Sequence, residues 1–338
     1  MATPNIAELP AGRKKNKLAS TVEREPEQGD LFRCEVVNLP VKDDLASMEF
    51  PIFALSKNKD LDIREFRRGN RVIRLIPSSV GAPTVFDKDL LLYIASQIVE
   101  AKNQGKPTSP MIEINVTKFL TSTERGDGGA SFERIMDMLH RLRGAILDTN
   151  IETGGMVTTE PFSLIKDYKV ISQKTRVIEV KGRQGKATTR EVQIVTKFYV
   201  EISDWMYRAL TNFEVLTMDR GYFRLKGSIE RRLYEIARKH CGAQPLWKID
   251  IDLLAKKVGT KVNRSKFRAE LRQVIEDNAL PEYRLALDMR AKPDDVVFYT
   301  RDSAKLAKEL IRSGLNSWFS GLQRTYNTRK KQPAIGDV

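Results

Sequence analysis

Two spacings of apolar residues alternate along the chain, one of three to four positions and one of two, and their order outlines the architecture. Met48 to Leu55 and Arg71 to Ile76 read as strands around a charged segment, 57–70, and Pro77 to Pro83 breaks the chain. Leu90, Leu91, Ile94 and Ile98 then recur at helical spacing behind Asp87, a candidate N-cap, until Asn103 to Pro107 ends the helix. A short strand from Met111, a short helix from Val116 and a turn, 121–129, lead into a second amphipathic helix. Its inward stripe is Phe132, Ile135, Met136, Leu139 and Leu142, while Arg134, Asp137 and Arg141 project the other way. Beyond Gly144 the spacing becomes two, and 145–152, 161–171, 176–181 and 191–202 read as strands.

Helix, strand, helix, turn, helix and β-extension is the order of a winged helix-turn-helix unit with a long wing, whose third helix is the candidate reader of DNA. An α+β domain that merely shares this order satisfies the pattern equally well. The second half repeats it in outline. Ser203-Asp204-Trp205 opens one helix and Ser228 another; a strand (247–251), a short helix (252–258), a turn (259–263), a helix (Arg264 to Asp277) and a hairpin (284–289 and 296–300) follow. A last amphipathic helix, Ser303 to Phe319, precedes a basic tail, 324–331. The chain is therefore read as α+β, with two winged helix-turn-helix domains in tandem, the first with an extended β wing, flanked by flexible basic arms. The expected divisions are a disordered arm (1–35), a first domain (36–202), a second DNA-binding domain (203–302) and a C-terminal helix with its tail (303–338).

Charge sharpens this picture. The 338 residues hold 58 Lys+Arg against 44 Asp+Glu, a formal net charge of +14, which points to a polyanionic partner if the surplus is concentrated. Between 256 and 272 it is: Lys256, Lys257, Lys261, Arg264, Lys266, Arg268 and Arg272 stand against the single acid Glu270. Projected at ~100° per residue, Ser265, Ala269 and Arg272 lie opposite the Phe267/Leu271 stripe, with Lys266, Arg268 and Gln273 beside them. Such density fits a helix in a major groove, with Arg reaching guanine edges or phosphates. Arg134 and Arg141 are the corresponding candidates in the first domain. The helix from Ser228 is also basic, but Glu230 and Glu235 interleave, so that backbone crossing and structural ion pairs are both open to it.

Other chemistries lack their residues. Cys34 and Cys241 are the only cysteines, far apart and without CxxC spacing, as in a reduced cytoplasmic protein. The longest apolar run, Leu90 to Ala95, is far below the ~18 residues that span a bilayer, so no membrane association is expected. The Gly182 to Thr189 segment superficially resembles a phosphate loop but lacks the leading Gly and the following helix, and reads as a hairpin tip. His140 and His240 have no zinc spacing, and no His-x-His pair accompanies a tyrosine as metal-dependent nicking requires. No cofactor, no metal and no enzymatic activity are expected.

Several strings resemble one family. Tyr222-Phe223-Arg224-Leu225-Lys226 and the run from Glu230 to Gly242 (ERRLYEIARKHCG), preceded by Glu201 to Trp205, are similar to the plasmid replication initiator protein A family. So are Phe86 to Ser96 (FDKDLLLYIAS), Arg141 to Gly144 and Thr149-Asn150-Ile151 in the first half. The resemblance spans about Met48 to Arg301. It implies tandem winged-helix domains that recognise repeated sites in origin double-stranded DNA, local opening of an AT-rich segment, recruitment of the host initiator and replicative helicase, and a possible homodimer. A winged-helix transcriptional repressor would use the same domains.

Overall fold

The computed structural model describes residues 31–322 apart from 35, 57, 126–131, 182–186 and 243, and it is mixed α+β. The N-terminal arm up to residue 30 and the basic tail lie outside the described residues. The last part of the expected arm is ordered, because Leu31–Cys34 (β1) pairs in parallel with Met111–Asn115 (β5) and buries Cys34.

The first half is built on Lys88–Asn103 (α2), Val116–Ser122 (α3) and Phe132–Gly144 (α4). These pack on a sheet of order β1-β5-β9-β8, in which Ile165–Lys181 (β8) and Ala187–Ile202 (β9) form a long antiparallel hairpin. Leu90, Ile94 and Ile98 of α2 meet Ile135, Leu139 and Leu142 of α4 in one buried cluster, with Met138 rather than Met136 completing the α4 stripe. A second sheet, β3-β4-β6-β7, sits beside this core and is made from Arg64–Arg68 (β3), Arg71–Ile76 (β4), Ile146–Thr149 (β6) and Phe162–Ser163 (β7). The expected strand at 48–55 is instead the end of a short helix, Leu45–Glu49 (α1), followed by irregular backbone that buries Phe50, Ile52 and Phe53.

Asp204–Thr211 (α5), expected to open the second domain, belongs to the first core: Trp205, Met206 and Leu210 are buried there. The crossing is made by Val215–Met218 (β10), which pairs with Val41–Asp44 (β2), and by the 3₁₀ turn Arg220–Arg224. Ser228–Cys241 (α6), Leu246–Asp250 (β11), Ile251–Val258 (α7), Arg264–Asp277 (α8), Tyr283–Asp288 (β12) and Asp295–Thr300 (β13) then repeat the helix-strand-helix-helix-strand-strand order. In both series the strand between the first two helices pairs with the last strand, β5 with β9 and β11 with β13. Ser303–Ser313 (α9) ends at Gly314, whose φ of +67° suits glycine, so the expected single C-terminal helix is two, the second at 316–322. Leu310, Phe319 and Leu322 cover Val297 and Tyr299 on the outer face of β13.

The halves meet through buried charge. Lys88 Nζ lies 2.7 Å from Asp43 Oδ2 and 3.0 Å from Glu235 Oε1, with all three side chains at most 2% exposed. Glu235 also accepts from Tyr222 Oη at 2.8 Å and from Arg232 Nη1 at 2.8 Å. One helical turn away Arg231 pairs with Asp89, which Arg125 shares, and its guanidinium lies over the rings of Phe86 and Tyr222. The strings FDKD (86–89) and ERRLYE (230–235), singled out separately in the sequence, therefore lock onto one another. Burial alone would lower the Lys88 ammonium, but Asp43 and Glu235 overcome this and hold it above the ordinary lysine value. Burial, reinforced by the neighbouring Glu235 and Asp44 carboxylates and opposed by Lys88, pushes Asp43 up to about 7.

Candidate nucleic-acid interface

The α7–α8 pair is shaped by local chemistry. Asp250 caps α7 by accepting from the Asp252 and Leu253 N–H groups, and Gly259, with φ +76°, ends it. Asn263 caps α8 by accepting from the Lys266 N–H at 2.9 Å, and Asn278 in the left-handed region closes that helix. Phe267, Leu271 and Val274 turn into the core. Ser265, Lys266, Ala269, Arg272 and Gln273 face outward and are exposed, as the helical projection requires.

Most of the cations expected at this surface have acid partners brought from elsewhere in the sequence. Lys261 Nζ lies 3.0 Å from Asp60 and 2.5 Å from Asp62. Lys257 and Lys239 both hold Glu49, at 2.9 and 2.8 Å. Burial of Glu49 is more than offset by these two ammonium groups, so its carboxyl sits well below the usual range, while burial leaves Lys257 below its own. Arg264 forks onto Asp252, with Nε to Oδ1 at 2.6 Å. Arg268 Nε approaches Asp294 Oδ2 to 2.8 Å without the alignment of a hydrogen bond. Lys256, Lys266 and Arg272 are exposed and have no acid partner among the described residues. The surplus charge of this surface is therefore narrower than the sequence count, and it centres on the outer face of α8.

In the first half the outcome differs. Arg134 is exposed on α4, whereas Arg141, expected to project outward, forks onto Asp87 with Nε to Oδ2 at 2.7 Å and Nη2 to Oδ1 at 2.8 Å. The hydrogen bonds from Arg141 also correct the reading of Asp87, whose side chain accepts from the Thr84 N–H and does not cap α2. Arg231 and Arg232 of α6 are likewise structural, being 3% and 2% exposed. Sequence reasoning missed Arg67, Arg68 and Arg71, exposed around the turn between β3 and β4. The pair Gly69-Asn70 between alternating residues was the available hairpin signal. β3 forms one wall of an open cleft of about 700 Å³, whose other wall is α7 and the turn after it.

Among the described residues no helix is long and apolar enough to cross a membrane, and no group of three or more His, Cys, Asp or Glu residues could hold a metal ion. The replication initiator protein A family model matches residues 42–285, well over half of the chain. The "Putative replication protein" of Wigglesworthia glossinidia brevipalpis is 32% identical over 250 residues, covering 73% of this chain and 85% of that protein. Two crystal structures of domains 2 and 3 of RctB, one of them a selenomethionine derivative, share the fold. They superpose with TM-scores of 0.51 and 0.50 over 76% of this chain and 98% and 96% of theirs, at 14% and 12% identity. With a family model matched over most of its length and a relative at 32% identity, the chain belongs to the replication initiator protein A family.

Proposed function

We propose that the chain initiates replication by binding double-stranded origin DNA at repeated sites through two winged helix-turn-helix units, with α8 as the principal reading helix. The observation that carries this reading is the outer face of α8: Lys266 and Arg272 without acid partners, flanking the small residues Ser265 and Ala269 on a rigid, capped helix. Small residues let the helix approach base edges closely, and Arg272 presents a planar fork matched to guanine. The β12–β13 hairpin and the long β8–β9 hairpin would serve as the wings. Membership of an initiator family supports the further steps, namely local opening of an AT-rich segment and recruitment of the host initiator and helicase. The protein acts in this reading as a cytoplasmic binding protein, alone or as a homodimer, without cofactor and without cleaving DNA.

Selection of bound duplexes from a random pool, followed by salt titration of the winners beside a scrambled control, tests the reading. The expected result is a recurring motif bound about a thousandfold above control. Arg272→Ala should cost ~1–3 kcal/mol and relax preference at one base pair. Lys266→Ala should weaken all duplexes alike and reduce the salt slope by about 0.9. Equal binding of selected and scrambled DNA refutes sequence recognition.

A further inference from the structure

The β3–β4 hairpin is a charged surface that the reading above leaves unused. Its tip carries Arg67, Arg68 and Arg71, all exposed, around Gly69-Asn70, where Gly69 has a φ of +55°. The strand register sets Arg68 opposite Arg71, and like charges facing each other across a strand pair are destabilising. Among the described residues Arg67 is engaged only by Glu65, at 2.7 Å, with the two side chains 69% and 42% exposed, a pair worth little in water. Arg68 leans onto Glu49, a carboxylate already held by Lys239 and Lys257. Arg71 has no acid partner among the described residues.

This self-repelling tip is nevertheless held in one shape. Asn150 Oδ1 accepts the Val72 N–H at 2.8 Å, and Asn150 Nδ2 donates to the Asn70 carbonyl at 2.6 Å. Thr149 Oγ1 donates to the Val72 carbonyl at 2.7 Å. Thr149-Asn150 thus pins the hairpin from the neighbouring strand. The hairpin also stands across a cleft from the segment that leads into the reading helix: Arg67 and Arg68 line one wall, and the opposite wall includes Lys256 and Lys261, shortly before α8 begins. A duplex that receives α8 in a groove would present its phosphates to this cleft. Guanidinium forks match phosphate oxygens, and binding there would also relieve the Arg68–Arg71 repulsion.

We propose that the β3–β4 hairpin is a third DNA contact, an arginine-tipped finger pre-organised by Asn150 that grips the phosphodiester backbone of the duplex whose bases α8 reads. The inference rests on the DNA-binding reading above and adds a contribution from the first half of the chain that does not use α4.

The test compares the full chain with Arg67→Ala/Arg71→Ala, using a fluorescent mixed-sequence duplex and a selected duplex, each titrated across a range of salt. Two lost phosphate contacts reduce the slope of log K against log salt by roughly 2. Both duplexes should weaken by the same factor, so that the preference between them is kept. The Arg67→Lys/Arg71→Lys variant keeps most of the slope, and Asn150→Ala, which keeps every charge, weakens binding less than the double alanine variant. Thermal melting separates a docking role from a structural one, because removing Arg71 relieves its repulsion with Arg68 and removing Arg67 costs only an exposed pair with Glu65, so the melting temperature should stay nearly unchanged. A wild-type chain that binds DNA while the double variant retains its full slope overturns the hairpin proposal alone. A wild-type chain that binds neither duplex even at low salt overturns the DNA-binding reading, and the hairpin with it.

Discussion

Replacing Lys88 by Met isolates the energetic role of the charged contact between the two halves. The Met side chain is close in length and apolar, so the change leaves little void, but it strands Asp43 and leaves Glu235 with Arg232 as its one cation at the centre of the molecule. In the native protein Lys88 lies within 3.0 Å of both carboxylates, and all three side chains are at most 2% exposed. Removing one partner of such a buried arrangement costs about 3–5 kcal/mol, because the carboxylates keep their desolvation penalty and lose their counter-charge. With a urea slope of about 3 kcal/mol per molar, the unfolding midpoint should drop by about 1–1.7 M. Protonation supplies a second signature. Stranded carboxyls bind protons more tightly folded than unfolded, so the deficit should be largest near about pH 8 and shrink towards about pH 5. Adding Asp43→Asn removes the carboxylate left without a counter-charge, while Glu235 keeps Arg232, and should recover much of the loss. Urea denaturation followed by tryptophan fluorescence at the two pH values reads all three outcomes. A loss under about 1 kcal/mol that does not vary with pH would match an exposed pair and refute the buried network.

Two further outcomes are expected. Gly259→Ala places a Cβ 2.6 Å from Pro51 Cβ at a φ of +76°, so it should lower stability by about 1–3 kcal/mol in calorimetry and disturb the turn before α8. Burial, with help from Lys257, lowers His240 to about 4 against an ordinary 6.5, where it stacks on Trp247 at 4.2 Å. The unfolded chain therefore takes up a proton at His240 before the folded one does, and wild type should lose stability relative to His240→Phe as pH falls from 6.5 to about 4. Solvent at the partly buried ring screens this to on the order of 1 kcal/mol, and parallel denaturation curves of the two proteins measure it.

The second half was the more legible in sequence, because its periodic segments are short, well capped and separated by clear turns. Arg264–Asp277 falls where the turn at 259–263 and the Phe267/Leu271 stripe put it. The first half was harder for identifiable reasons. β3, with the sequence REFRR, contains one apolar side chain among four charges, so it reads as a loop until β4 is seen beside it. α5 follows β9 directly and carries an ordinary amphipathic pattern, and nothing local says which core receives Trp205. The candidate site was legible in its cations but not in their neutralisation. Counting charge along 256–272 finds one acid, whereas the fold delivers Glu49, Asp60, Asp62 and Asp294 from outside that stretch and Asp252 from its edge. The sign of a surface is set in space, and a window on the chain sees only the fraction of it that is contiguous. The interleaved signs of α6 did carry information, since Glu235 and Arg232 answer each other three residues apart within the buried interface.

The interlocking of residues 86–89 with 230–235 bears on how such chains can be recombined. A joint made between the halves, near the β2–β10 crossing, would bring a donor's Arg231 and Glu235 against a host's Asp89 and Lys88, residues with which they form buried ion pairs spanning 142 positions or more. Any mismatch there would strand charge in the interior, at the cost set by Lys88→Met. The heritable module is therefore larger than either half: both strings travel together, and hybrids between relatives should fold in proportion to how faithfully the donor and host reproduce this one charged seam.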